Sequence, residues 1–361
     1  MQITTIGLDL AKHVFQLHGV DQEGQVVLRR RLRRAEVVRF FSSLPPCLVG
    51  IEACSTAHHW ARELTGLGHE VRLMPPTYVK PYVKRGKNDA ADAEAICEAV
   101  TRPTMRFVPI KSAEQQGVLV MHRARDLLIR QRTMLANSLR AHCAEFGIVV
   151  AQGMAKLAEL LARIADETDT RIPPLARGCL LVLGQQLQEL QLKIGEVERA
   201  LHAWHRSNEV SRRLETIPGI GPITASALAV TVTDPTLFRS GRHLAAWLGL
   251  VPRQNSSGGK ERLGGISKQG DRYIRRLLIS GAGAHAVLQY TSEVGLAQHG
   301  PPASCSDVRS SSWPLLSPTR QRGSPGQYSP AARRTAQRPS PALPERRGLT
   351  EPRNGSEALR R

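Results

Sequence analysis

The chain has 361 residues, with 50 Lys and Arg against 31 Asp and Glu, for a formal net charge of +19. A surplus of this size draws polyanions, because each phosphate neutralised by Lys or Arg releases condensed counterions, and it persists when residues 291–361 are set aside. The longest apolar stretch, 225–232, falls far short of the roughly 20 residues a bilayer needs, which excludes a spanning helix.

Residues 3–8 are a short β-rich run leading to Asp9, with no secretory leader before it. Residues 14–20 and 26–32 fit two further strands joined by the turn Asp21-Gln22-Glu23-Gly24. A helix is expected over 35–44, a strand over 47–52, a helix over 56–67 stopped by Gly68, a strand over 71–74 stopped by Pro75-Pro76, and a helix over 89–100. The order strand-strand-strand-helix-strand-helix-strand-helix over 1–110 is that of an RNase H-like α/β domain.

Residues 111–212 read as a helical linker. Leu180, Leu183, Leu187, Leu190, Ile194, Val197, Leu201 and Trp204 repeat at spacings of three and four, a heptad seam. A looser stripe of Met121, Leu128, Leu135 and Leu139 marks a helix over 114–146. An antiparallel coiled coil, a self-association arm and a helical hairpin without a partner all satisfy that pattern. Residues 213–290 form a small, mostly α C-terminal unit of short helices. The tail, 291–361, holds ten of the 23 prolines among Ser, Arg and Gly, a composition expected to stay disordered. The six cysteines, at 47, 54, 97, 143, 179 and 305, include no CxxC pair and no zinc spacing, as expected of free thiols in a reducing cytoplasm.

Chemistry concentrates in four carboxylates. Asp9 closes Ile6-Gly7-Leu8-Asp9, Glu52 closes Val49-Gly50-Ile51-Glu52, and Asp89 and Asp92 lie three apart on one helix face after the basic residues Lys80, Lys84, Arg85 and Lys87. Four carboxylates brought together repel unless neutralised, and an oxygen-only donor set suits Mg²⁺ or Mn²⁺. A second motif, Thr216-Ile217-Pro218-Gly219-Ile220-Gly221-Pro222, looks like a helix-hairpin-helix. There Gly219, Gly221 and the following helix N-terminus can meet a phosphate, though a tight turn without DNA reads the same way. A third is the loop Asn255-Ser256-Ser257-Gly258-Gly259, flanked by Arg253, Lys260, Arg262 and Lys268.

Gly-Leu-Asp-Leu-Ala-Lys at 7–12, Gly-Ile-Glu-Ala-Cys at 50–54 and Lys-Asn-Asp-Ala-Ala-Asp-Ala at 87–93 resemble the RuvC-like domain of DEDD transposases of the insertion-sequence-110 family. The resemblance covers residues 3–290. It implies Asp9, Glu52, Asp89 and Asp92 as metal ligands and Ser257, with Ser256 less favoured, as a nucleophile forming a phosphoserine link to DNA. It further implies element-end and target DNA as substrates, a guide (bridge) RNA, a homodimer or homotetramer, and a place in the bacterial cytoplasm at the nucleoid. Past Tyr290 the resemblance stops, as a frameshift or rearrangement of the gene would produce. Two other functions fit the residues: a Holliday-junction-type nuclease using metal-activated water, and an inactive DNA-binding remnant.

Overall fold

Apolar side chains at alternate positions give the first strand two unlike faces, and that difference organises the N-terminal domain. The computed structural model describes residues 2–84 and 88–293. Its five-stranded sheet comprises β1 (Thr5–Leu10), β2 (Val14–Val20), β3 (Val26–Arg33), β4 (Leu48–Glu52) and β5 (Glu70–Met74), in the order β3-β2-β1-β4-β5. β1 is parallel to β4 and β4 to β5, while β2 is antiparallel to β1 and β3. The helices α1 (Val37–Ser42), α2 (Ala57–Gly66), α3 (Pro76–Val79) and α4 (Asp89–Val100) complete the domain. The expected order is present. The helix expected over 35–44 starts with a 3₁₀ turn at Arg34–Glu36, and the first strand runs through Asp9 to Leu10.

One sheet face buries Ile6, Leu8, Phe15, Leu17, Val49, Ile51 and Leu73 against Phe41 of α1 and Trp60 and Leu64 of α2. The other face carries α4, and it is built for close approach. A Cβ on Gly7 would lie 2.1 Å from the Ala93 carbonyl oxygen and 2.4 Å from the Cys97 nitrogen; one on Gly50 would lie 2.8 Å from Val100 Cβ. Only glycine at these two places lets α4 rest on β1 and β4. Gly7→Ala is therefore expected to destabilise the protein by about 1–3 kcal/mol through overpacking. The midpoint of a urea melt reads this, and an unchanged midpoint would mean that α4 does not rest on the strand.

After β5 come two long helices, α5 (Ala113–Ala144) and α7 (Pro174–Ser207), with the short α6 (Met154–Ala165) between them. α5 begins in a reciprocal cap: Ser112 Oγ accepts from the Gln115 amide, and the Gln115 side chain accepts from the Ser112 amide. The two helices run antiparallel, since Trp204 Nε1 donates to Glu114 Oε1 at 2.8 Å, Arg125 pairs with Glu198, and Arg132 Nη1 donates to Gln191 at 2.9 Å. The heptad residues Leu180, Leu187, Leu190, Ile194 and Leu201 are buried. Leu180 and Leu187 pack with Leu139, Leu157 and Leu160, while Leu201 packs with Val118 and Val230. The seam is covered from within the chain.

The C-terminal residues form α8 (Glu209–Glu215), α9 (Pro222–Thr231), α10 (Gly241–Leu248), a hairpin of β6 (Pro252–Gln254) and β7 (Leu263–Ile266), and α11 (Arg272–Glu293). To the expected mostly α unit of short helices the structure adds two details. The Ser-Gly loop is the turn of a β-hairpin, and α11 is 22 residues long and passes the expected boundary at 290. His122 of α5 ties the parts together: its Nδ1 meets Tyr273 Oη of α11 at 3.0 Å and its Nε2 meets Ser226 Oγ of α9 at 3.2 Å. Arg85, Lys87 and the tail beyond 293 lie outside the described residues.

Candidate active site

The carboxylates assemble because of the glycines beneath α4. Period-two alternation puts Asp9 on the face of Gly7 and Glu52 on the face of Gly50, so both belong to the α4 side of the sheet. α4 runs antiparallel to β1: Cys97 Sγ lies 3.8 Å from the Thr5 carbonyl oxygen, and Ala93 lies against Gly7. Continuing one helical turn brings the start of α4, with Asp89 and Asp92, to the Asp9 end of the strand. Asn88 fixes that start, its Oδ1 accepting from the Ala91 amide at 2.8 Å.

Oxygens of Asp9, Asp89 and Asp92 all lie within 4.8 Å of one another. Glu52, at the end of the neighbouring parallel strand, is outside that group of three. Burial first, then the charges of Asp92, Asp89 and Glu52, push the Asp9 carboxyl up to about 6 from an ordinary 3.8. The structure thus brings three of the four expected carboxylates into one cluster and holds the fourth within electrostatic reach. The donor set fits a hard divalent ion. Oxygens bound to Mg²⁺ at about 2.0–2.1 Å stand about 3 Å apart in adjacent positions and ~4.2 Å apart across the ion, so these three would draw closer together around one.

The other expected residues divide. Ser257 sits in the exposed turn between β6 and β7, where the Lys260 amide donates to its carbonyl at 3.1 Å and Gly258 and Gly259 take φ of 56° and 76°. Its hydroxyl makes no hydrogen bond among the described residues. Ser256 Oγ accepts from the Arg262 amide at 3.2 Å, so that hydroxyl is engaged. Arg253, Lys260 and Arg262 are exposed around the turn. Lys268 adopts a left-handed φ of 57°, with its amide donating to the Gly249 carbonyl at 3.0 Å. Two further expected nucleic-acid contacts have partners within the fold. Lys84 is an ion-pair partner of Glu94 at 2.7 Å rather than a free cation. Gly219, at φ 82°, packs against α11, where a Cβ on Gly281 would lie 2.0 Å from the Gly219 carbonyl oxygen. Its lack of a side chain therefore serves helix packing, whereas Gly221 caps α9 and leaves that N-terminus without a side-chain cap.

The sequence reading missed the paired glycines beneath the site. Each strand-end acid is preceded two positions earlier by Gly, in Gly7-Leu8-Asp9 and in Gly50-Ile51-Glu52, and that repetition was a readable sign of a helix laid on the strands.

Residues 6–147 match the DEDD transposase family of IS110, and residues 211–296 match the family described as Transposase IS116/IS110/IS902. The chain is 53% identical over 285 residues to the "Probable family 20 transposase" of Pseudomonas aeruginosa, spanning 79% of this chain and 84% of that protein. This chain belongs to the IS110 family of transposases. The transposase for insertion sequence element IS1328 of Yersinia enterocolitica is 44% identical over 277 residues, 77% of this chain and 82% of that one. A protein of Sinorhizobium fredii also named as a transposase is 51% identical over 281 residues, 78% and 72% of the respective chains. The transposase is accordingly an enzyme that acts on DNA, and its first domain is RNase H-like, with the divalent-metal dependence of DEDD transposases. Among the described residues no helix is long and apolar enough to cross a membrane.

Proposed function

We propose that this transposase cuts and rejoins DNA strands at the ends and target of its insertion sequence. Asp9, Asp89 and Asp92, with Glu52 beside them, hold Mg²⁺ or Mn²⁺, and Ser257 is the nucleophile. The observation that carries the reading is the convergence of three carboxylates from two distant parts of the chain. The bound ion supplies charge neutralisation at the phosphate and polarises its oxygens. In the cutting step the Ser257 Oγ–phosphorus bond forms as a bridging phosphorus–oxygen bond of the DNA breaks. The serine proton leaves, and the displaced deoxyribose oxygen takes one up. Attack by a second strand's hydroxyl on the phosphoserine then restores a phosphodiester, so no external energy source is required.

The β6–β7 strands pack chiefly on each other, which is consistent with Ser257 meeting carboxylates of another subunit in a homodimer or homotetramer. Arg253, Lys260, Arg262 and Lys268 would hold the backbone beside it. The turn into α9 acts as a helix-hairpin-helix through the amides after Gly221, blind to sequence. The antiparallel α5–α7 pair is read as a coiled-coil arm, and a structured guide RNA specifies the two DNAs.

Incubating the protein with element-end DNA, target DNA and the RNA encoded beside the gene tests this. Joined product is expected with Mg²⁺ and none with EDTA. Joining undiminished in EDTA would overturn the metal role, and cleavage without joining would favour a Holliday-junction-type nuclease.

A further inference from the structure

The sheet face that carries Asp9 continues across β2 to the edge strand β3. Asp9 is paired with Gln16 and Gln16 with Arg31; one step back, Gly7 is paired with His18 and His18 with Arg29; Val14 is paired with Arg33. Arg29, Arg31 and Arg33 therefore share the face of the carboxylate cluster. At strand separations of about 4.8 Å the backbone of Arg31 lies roughly 10 Å from that of Asp9, and successive arginines on the face stand about 6.8 Å apart. Between these strands and the start of α4 is a cavity of about 230 Å³ lined by Gln16, His18, Arg29, Asn88 and Glu94.

Charge on an edge strand also guards a sheet against unwanted pairing, but that role does not depend on face. Here the two sides are used differently. Arg30 lies 5.1 Å from the centre of the Phe40 ring, and Arg34, just beyond the strand, lies 5.3 Å and 5.4 Å from Phe15 and Trp60. The three arginines on the cluster side are exposed, Arg29 within electrostatic reach of Glu94 and Arg33 held by its own amide to Glu36 Oε2 at 2.7 Å. Exposed cations in a row that leads to a set of carboxylates suit a polyanion whose phosphate is to be delivered there.

We propose that Arg29, Arg31 and Arg33 form a phosphate track for one DNA strand, leading its scissile phosphate to Asp9, Asp89 and Asp92, with the cavity beside Arg29 receiving the adjoining nucleotide. The proposal rests on the cluster being the cutting centre.

The test is the binding of a fluorescein-labelled single-stranded element-end oligonucleotide, followed by anisotropy between about 50 and 200 mM salt without divalent ions. The triple variant Arg29→Gln, Arg31→Gln, Arg33→Gln is expected to melt with the wild type. Its slope of log affinity against log salt should shrink by about 2, three phosphate contacts at ~0.7 each. A second triple variant, Lys156→Gln, Arg163→Gln, Arg199→Gln on the helical arm, removes the same charge and should keep the wild-type slope. An unchanged slope in the first variant, an equal loss in both, or a loss confined to a structured RNA probe would overturn the track. Cleavage that survives Asp9→Asn would instead overturn the cutting centre, a result visible in product and not in this slope.

Discussion

Asp9→Asn is expected to abolish DNA cutting, by about 10³-fold or more, while making the metal-free protein more stable at neutral pH. The two effects share one origin. Burial and three acidic neighbours hold the Asp9 carboxyl at about 6 in the fold against 3.8 ordinarily. A raised value means that folding favours the protonated form. This contribution to stability is complete below about pH 4 and is lost as pH rises through 6. Above that, charged Asp9 costs the metal-free fold an amount we place at about 1–2 kcal/mol, after discounting for its partial exposure. Asparagine removes the cost together with the ligand. Melting curves at pH 7.5 with EDTA and with Mg²⁺ check both signs: the metal should raise the wild-type midpoint, and the variant should start higher and respond less. A wild-type midpoint indifferent to the metal, or a variant that still cuts, would sink the assignment.

Ser257→Ala is expected to remove the covalent protein–DNA adduct and to lower strand joining by about 10³–10⁴-fold, with DNA affinity nearly unchanged. The substitution leaves the turn intact, since the left-handed positions are Gly258 and Gly259 and the bond from Lys260 goes to the backbone carbonyl of residue 257. Ser256→Ala should keep the adduct; it forfeits only the bond from the Arg262 amide. Adduct trapped on denaturing gels with radiolabelled element ends distinguishes the two serines. Loss in the Ser256 variant alone would reassign the nucleophile, and undiminished cleavage in the Ser257 variant would support metal-activated water.

The N-terminal domain was legible because its strands are short apolar runs ending in acids and its helices carry clear stops. The cluster was legible for Asp9, Asp89 and Asp92, since strand-end position and i,i+3 spacing are both local. How closely Glu52 approaches depends on strand packing, which no local pattern states. The heptad seam on α7 was plain, yet spacing alone does not say whether a seam meets its own chain; Gly184, whose Cβ would stand 2.8 Å from Leu161, shows α6 already lying there. The β6–β7 hairpin escaped because its strands are three and four residues long and almost wholly exposed, with no apolar alternation to betray them. The role of Gly219 escaped for a related reason: its partner, Gly281, is 62 residues away and only the fold brings them together.

The bond from Trp204 to Glu114 means that the α5–α7 excursion closes at its base, returning the polymer to the level from which it departed. Its length is thus decoupled from the rest of the enzyme. Trimming matched heptads from both helices would shorten the protrusion while leaving the two functional ends in place, whereas removing a heptad from one helix alone would shear the Arg125–Glu198 and Arg132–Gln191 rungs out of step.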